Sequence, residues 1–325
     1  MNKILVIGCN GQLGHCVKDV NDNLINPFDI TYVDYDVLDI TDFYAVDTYL
    51  TENKFDYIIN CAAYTNVPKA EFDEYEAFEV NTIGPKNIAE VCNKLNIKFI
   101  HISTDYVYDD CHLINENTKT NPLNAYGRTK LTGDYNALSA NPDTIILRTA
   151  WLYSCYGKNF VKTIINNIDS NKHDINVVFD QIGSPTEASD LAYAILSIIK
   201  STSEGTSIWK GGVYHYTNEG FCSWYDFATM INEFYCQECI ELNPEGIHGM
   251  VNNYIFDYDI KPITTKEFDK LFLNTVKRPM ISMLDKSKIK NQFGIHIPHW
   301  TTALSGMIHL FVKNRKEYEP EKYVN

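Results

Sequence analysis

Lys3-Ile-Leu-Val-Ile-Gly8-Cys-Asn-Gly11-Gln-Leu-Gly14 is the stretch that decides how this chain is read. A short β-branched apolar run ends in glycines three residues apart, and a helical pattern follows. Without Cβ atoms the backbone can turn sharply, admit a pyrophosphate to the helix N-terminus, and pack the helix close to the strand. A glycine triplet alone is weak evidence. Between a first strand and a first helix, Gly8, Gly11 and Gly14 predict dinucleotide binding.

Outward from that turn, apolar runs at 3–7, 30–34, 57–61, 98–103 and 144–148 predict strands, and three-to-four spacing predicts helices at 41–53, 74–95 and 126–138. The alternation predicts an α/β fold, a doubly wound parallel sheet of the Rossmann type. We expect residues 1–150 to form the dinucleotide-binding domain. Residues 151–325 are expected to be mainly a smaller mixed α/β substrate lobe, with a helix near 187–200 returning to the first domain. In that lobe 175–180 and 212–217 read as extended, 223–234 as helical, and 236–260 as a long loop or surface insertion.

Four features sit where the sheet would open. Asp34 ends the second predicted strand about twenty residues beyond Gly14, where a carboxylate accepts hydrogen bonds from an adenosine ribose. Asn60-Cys-Ala-Ala63 offers small side chains where a flat cofactor would cross the sheet edge. Tyr126-Gly-Arg-Thr-Lys130 places a phenol and an ammonium on one helix face. A phenol of reference pKa about 10 is a poor acid or base at neutral pH, and the adjacent cation is expected to lower that value. Thr104, in Ser103-Thr-Asp-Tyr106 after a strand, is placed to donate to a substrate carbonyl.

Composition narrows the function. With 325 residues and 45% hydrophobic content, the chain has material for a large core. Its formal charge of -14 opposes nucleic-acid binding as a main role but leaves an anionic small substrate open. No apolar run reaches the ~20 residues of a membrane helix. Nine scattered cysteines suggest reduced thiols and a cytoplasmic location, and Cys236-x-x-Cys239 lacks the second pair that tetrahedral zinc needs.

These motifs resemble the extended short-chain dehydrogenase/reductases, and most closely the dTDP-4-dehydrorhamnose reductase family. The resemblance runs through Leu38-Asp-Ile-Thr-Asp42, Ser103-Thr-Asp-Tyr-Val107, Asn124-Ala-Tyr-Gly-Arg-Thr-Lys130 and Arg148-Thr-Ala-Trp151, then on through Asp180-Gln-Ile-Gly-Ser-Pro-Thr186 and Arg278-Pro-Met-Ile-Ser282. It implies reduction of dTDP-4-dehydrorhamnose to dTDP-L-rhamnose by NADPH or NADH, in a monomer or homodimer. It also implies catalysis by Tyr126, Lys130 and Thr104, and a cofactor site of Gly8, Asn10, Gly11, Gln12, Leu13, Gly14, Asp34, Asp39, Ile40, Ala62, Ala63, Tyr64 and Lys130. Thr104, Asp105, Tyr106 and Trp151 match substrate-contacting positions. Where the family commonly has an acidic residue, Pro68 stands in Val67-Pro-Lys-Ala-Glu71. The three glutamates that hold an intersubunit magnesium in some members correspond to His15, Ser189 and Thr301, so no metal is expected. Two other readings remain: a non-catalytic regulatory protein like the regulatory subunit of methionine adenosyltransferase, and an epimerase or dehydratase.

Overall fold

Ile4, Leu5, Val6 and Ile7 are all buried, as they must be in a strand covered on both faces. That strand, β1 (Lys3–Ile7), is joined by β2 (Asp29–Val33), β3 (Tyr57–Asn60), β4 (Lys98–Thr104), β5 (Ile145–Thr149) and β6 (Gly212–His215). They form one sheet in the order β6-β5-β4-β3-β1-β2, every pair parallel. The chain leaves β1 toward β2 on one side and returns to β3 on the other, which opens a crevice at their carboxyl ends. The computed structural model describes residues 2–109, 111–170, 174–242, 260–272 and 276–319.

Alternate residues of the strands feed two cores. On one face α1 (Gln12–Asp22) and a helix of residues Ala188–Ser203 pack Val17, Leu191 and Ile195 against Ile4, Val6 and Ile59. On the other, α2 (Phe43–Asn53), α3 (Gly84–Leu95) and α4 (Ala125–Ala140) bring Val46, Ile88 and Ala137 onto Leu5, Ile58 and Phe99. The helix Ala188–Ser203 is α5. A third core, with Ile165, Phe227 and Leu304, gathers the helix Phe160–Asp169, α6 (Trp224–Leu242) and α7 (Trp300–Lys313). Beside it runs a mixed sheet in the order Cys222–Ser223, Ile182–Gly183, Ile281–Leu284, Cys111–Ile114. Among the described residues no helix is long and apolar enough to cross a membrane.

Several expectations change. The helix expected at 74–95 is broken by a wide π-type turn, Glu79–Ile83, between Glu74–Phe78 and α3. The turn lets Asn81 Nδ2 donate to Thr129 Oγ1 at 3.2 Å and Thr82 Oγ1 to the Thr129 carbonyl at 2.7 Å, locking this segment to α4. Residues 212–215, expected in the second lobe, form the edge strand β6 of the central sheet. The segment expected as a loop from 236 is helical through Leu242, because Tyr235 is buried in the third core and no proline lies between Trp224 and Leu242. Residues 243–259 lie outside the described residues.

Candidate active site

The glycine turn works by close approach. Gly8 has φ +80°, and a Cβ there would lie 2.6 Å from the Ala62 nitrogen, so the β1 and β3 ends can meet only through a glycine. Gly11 precedes α1 and no side chain caps that helix, so its first-turn N–H groups remain available to an anion. Asp34 braces the turn: its Oδ2 accepts from the Asn10 N–H and its Oδ1 from the Tyr35 N–H, both at 2.8 Å. A groove of about 270 Å³ results, lined among others by Gly8, Gly11, Asp34, Asp39, Ile40, Ala62 and Ala63. This cradle fits a dinucleotide.

Three residues expected at the cofactor also make contacts within the protein. Leu13 is buried in the core. Gln12 Oε1 accepts from Ser154 Oγ at 3.1 Å and Asn159 Nδ2 at 2.9 Å, tying α1 to the segment after β5. Tyr64 is held through its backbone, with its N–H donating to Asn81 Oδ1 at 2.9 Å and its carbonyl accepting from Asn81 Nδ2 at 3.0 Å.

The start of α4 is pinned from two sides, by Asn124 Oδ1 accepting the Gly127 N–H at 2.8 Å and by Glu71 accepting the Ala125 N–H at 2.6 Å. Glu71 thus gives the Val67–Ala70 segment a positioning task even with Pro68 in the motif. A Cβ on Gly127 would lie 2.2 Å from the Tyr106 carbonyl, so only glycine lets the helix rest on the turn after β4. There the Tyr126 and Tyr106 rings meet edge to face at 5.7 Å, and Tyr126 is within hydrogen-bonding reach of the Thr104 hydroxyl. Thr104 Oγ1 also donates to Asp105 Oδ1 at 3.1 Å and accepts from the Tyr106 N–H at 3.2 Å.

The electrostatics reverse one expectation. Burial pushes the Tyr126 phenol up, and the Thr104 hydroxyl pulls it only partly back. Lys130 is 1% exposed. Its Nζ donates to the Ile102 carbonyl at 2.7 Å and lies 3.4 Å from His101 Nε2. Burial pushes Lys130 itself down to about 8, against the opposing pull of Asp134. The i, i+4 spacing brings phenol and ammonium to one face, and desolvation decides both titrations.

Of the residues expected at the substrate, Asp105 is turned inward. It is 2% exposed, its Oδ2 accepts from Ser282 Oγ at 2.6 Å, and burial raises it to about 6. Its carboxylate ties the end of β4 to the Ile281–Leu284 strand. Trp151, at φ +48°, stacks on Trp224 with centroids 3.6 Å apart. Tyr106 is pushed up to about 12 by burial and then by Asp105, while the Arg278 charge draws it down.

Sequence reasoning assigns no role to Arg278, nor to the buried frame behind the site. Arg148 Nε donates to Asp134 Oδ2 at 3.0 Å and its NH1 to the Tyr108 hydroxyl at 2.7 Å, and that hydroxyl lies 2.8 Å from His215 Nε2. Asp134 is on α4 one turn beyond Lys130, so this pair sets the depth at which the helix carries Tyr126 and Lys130. A charge inside the apolar run at 144–148 is the available signal.

The positions matched to a metal in some relatives are committed to other contacts. His15 stacks on Tyr156 at 4.5 Å, Ser189 Oγ donates to Glu187 at 3.2 Å, and Thr301 pairs with His299 at 2.9 Å. A hard divalent ion needs oxygen ligands, chiefly carboxylates, and this set does not fit one. Activity is therefore expected to survive EDTA unchanged. A loss on chelation that added Mg²⁺ restores would contradict this.

Comparison with known proteins is consistent along the chain. A family described as RmlD substrate binding domain matches residues 1–312. A dTDP-4-dehydrorhamnose reductase of Aggregatibacter actinomycetemcomitans is 36% identical over 311 residues, 94% of this chain and 98% of that protein. The crystal structure of a dTDP-4-dehydrorhamnose reductase from Clostridium acetobutylicum superposes with a TM-score of 0.80 at 36% identity, covering 95% of this chain and 99% of that one. Another, from Bacillus anthracis in complex with NADP, gives 0.78 at 31% identity over 96% and 99%.

Proposed function

The chain belongs to the dTDP-4-dehydrorhamnose reductase family, and from that premise we propose that it reduces the C4 ketone of dTDP-4-dehydrorhamnose to give dTDP-L-rhamnose. The observation that carries the reading is the meeting of Thr104 and Tyr126, with Lys130 one turn along α4, at the carboxyl end of β4 beside the glycine cradle. NADPH or NADH, held by the Gly8–Gly14 turn, the Asp34 side and the Ala62–Ala63 edge, supplies the hydride.

The chain's own residues do the rest. Thr104 orients the carbonyl oxygen by turning its one hydroxyl hydrogen from Asp105 to it. Tyr126, kept protonated by burial, gives its proton to that oxygen as charge develops there. A raised phenol suits an acid, since the group stays loaded at neutral pH. Lys130 holds the nicotinamide ribose and faces the phenolate that remains. Arg278, whose charge reaches Tyr106, receives with it the anionic part of the sugar nucleotide in a chain whose overall charge of -14 would otherwise repel it. Trp151, on its Trp224 platform, walls the sugar.

The experiment is NADPH or NADH oxidation with enzymatically prepared dTDP-4-dehydrorhamnose. The reductase oxidises the nucleotide in step with sugar consumption. A regulatory protein would bind the nucleotide and leave the sugar untouched, and an epimerase or dehydratase would show no net oxidation.

Cofactor preference follows from charge. Asp34 and Asp39 line the groove, and the sequence has no Lys or Arg between Lys18 and Lys54 to meet a 2′-phosphate. Both nucleotides are expected to work, with kcat/KM for NADH at least equal to that for NADPH. A strong NADPH preference would mean that a basic residue distant in sequence enters the groove.

A further inference from the structure

Asn60 of β3 and His101 of β4 are register partners in the central sheet, and both are fully buried. Lys130 comes down on them from α4. The hydrogens in this row can be assigned one after another. Asn60 Oδ1 accepts the Ala62 N–H at 3.0 Å, so the NH₂ of its amide faces His101 Nδ1, at 3.2 Å, and donates to it. A neutral imidazole whose Nδ1 accepts carries its hydrogen on Nε2. Burial, the larger cause, holds the ring well below the usual histidine range and keeps it neutral whichever form Lys130 takes. Nε2 then points its hydrogen at Lys130 Nζ, 3.4 Å away, while Nζ donates to the Ile102 carbonyl. An ammonium has three donors and no lone pair, so it would set donor against donor; an amine completes the row.

We propose, on the reductase reading above, that His101 is a positioning residue for Lys130: anchored by Asn60, it aims an N–H at Nζ and stabilises the amine, so that Lys130 can release a proton at each turnover and regain it from water. The proton balance closes. A hydride and one proton convert the carbonyl to the carbinol, and Tyr126, having given that proton, is left as phenolate. The Lys130 ammonium gives a proton toward the phenolate and becomes the amine, whose lone pair accepts the Nε2–H until a proton from water recharges it. One proton enters per turnover, and only the hydride donor is oxidised. The other groups facing Lys130 are Asp134 on its own helix, itself paired with Arg148 of β5, and the Cys61 thiol after β3. Both favour the ammonium and oppose burial, so His101 acts on a group already poised between its two forms.

Asn60→Asp tests this with almost no change of shape. One carboxylate oxygen keeps the Ala62 N–H, the other accepts from Nδ1–H, and the bare Nε2 left behind accepts from the ammonium. The alkaline limb of kcat against pH is expected to move up by about one unit or more. A second measurement needs neither the variant nor turnover: ¹⁵N NMR of histidine-labelled wild-type protein, with His101 assigned by its loss in His101→Gln. Protonated Nε2 with bare Nδ1 supports the proposal. Protonated Nδ1 in the wild type, or an unmoved alkaline limb in an Asn60→Asp protein that still binds NADPH and melts normally, overturns it. If the expected tautomer is found but no keto sugar is turned over, the proton relay falls with the reductase reading while the hydrogen-bond row stands.

Discussion

Tyr126→Phe is expected to lower kcat by about 10²–10⁴-fold, the usual contribution of a positioned general acid, while the affinity for NADPH changes little. The ring meets Tyr106 edge to face, and phenylalanine keeps that contact, so the variant removes one hydroxyl and leaves the wall intact. Because proton donation matters only as the alkoxide forms, kcat and kcat/KM should fall together. Steady-state rates with the keto sugar, alongside NADPH titration, separate the two quantities. A Phe variant with near-wild-type kcat would take the proton from Tyr126 and give it to another donor.

Asp134→Ala is expected to destabilise the fold by about 3–5 kcal/mol, because it leaves the Arg148 guanidinium buried without its partner. The side chains of the pair are 4% and 1% exposed, so water cannot stand in for the missing carboxylate. A loss of that size is a large part of the ~5–15 kcal/mol that holds a typical domain together. Urea unfolding reads it directly. Replacing both partners, Asp134→Leu with Arg148→Met, is expected to recover much of the loss, since the orphaned charge goes too. A single-variant cost below about 1 kcal/mol would place the pair in the class of solvated surface bridges.

The parts of the molecule written in local pattern are legible in the sequence alone. The apolar run at Ile4–Ile7 and the glycines after it announce a buried parallel strand feeding a helix, and Tyr126 and Lys130 share a face by spacing alone. What stays hidden depends on partners far apart in the chain. The run at 212–217 reads as extended, but nothing in it says that β6 pairs with β5. Arg148 and Asp134 read as ordinary charges until β5 and α4 bring them together in the interior. His101 sits inside an apolar run, and its importance comes only from its register with Asn60. Electrostatics are the least legible: adjacency of phenol and ammonium suggests a lowered phenol, whereas the solvent removed from both groups sets the direction.

The central claim is that this chain delivers a hydride to C4 of a dTDP-4-keto sugar, with Tyr126 supplying the proton. Deuterium tracing tests it most directly: nicotinamide nucleotide carrying deuterium at the transferable C4 position is incubated with dTDP-4-dehydrorhamnose, and the product is read by NMR. The account predicts one deuterium at C4 of the sugar, in the rhamno configuration, for each nucleotide oxidised. Deuterium elsewhere in the sugar, or none despite bound nucleotide, would contradict it.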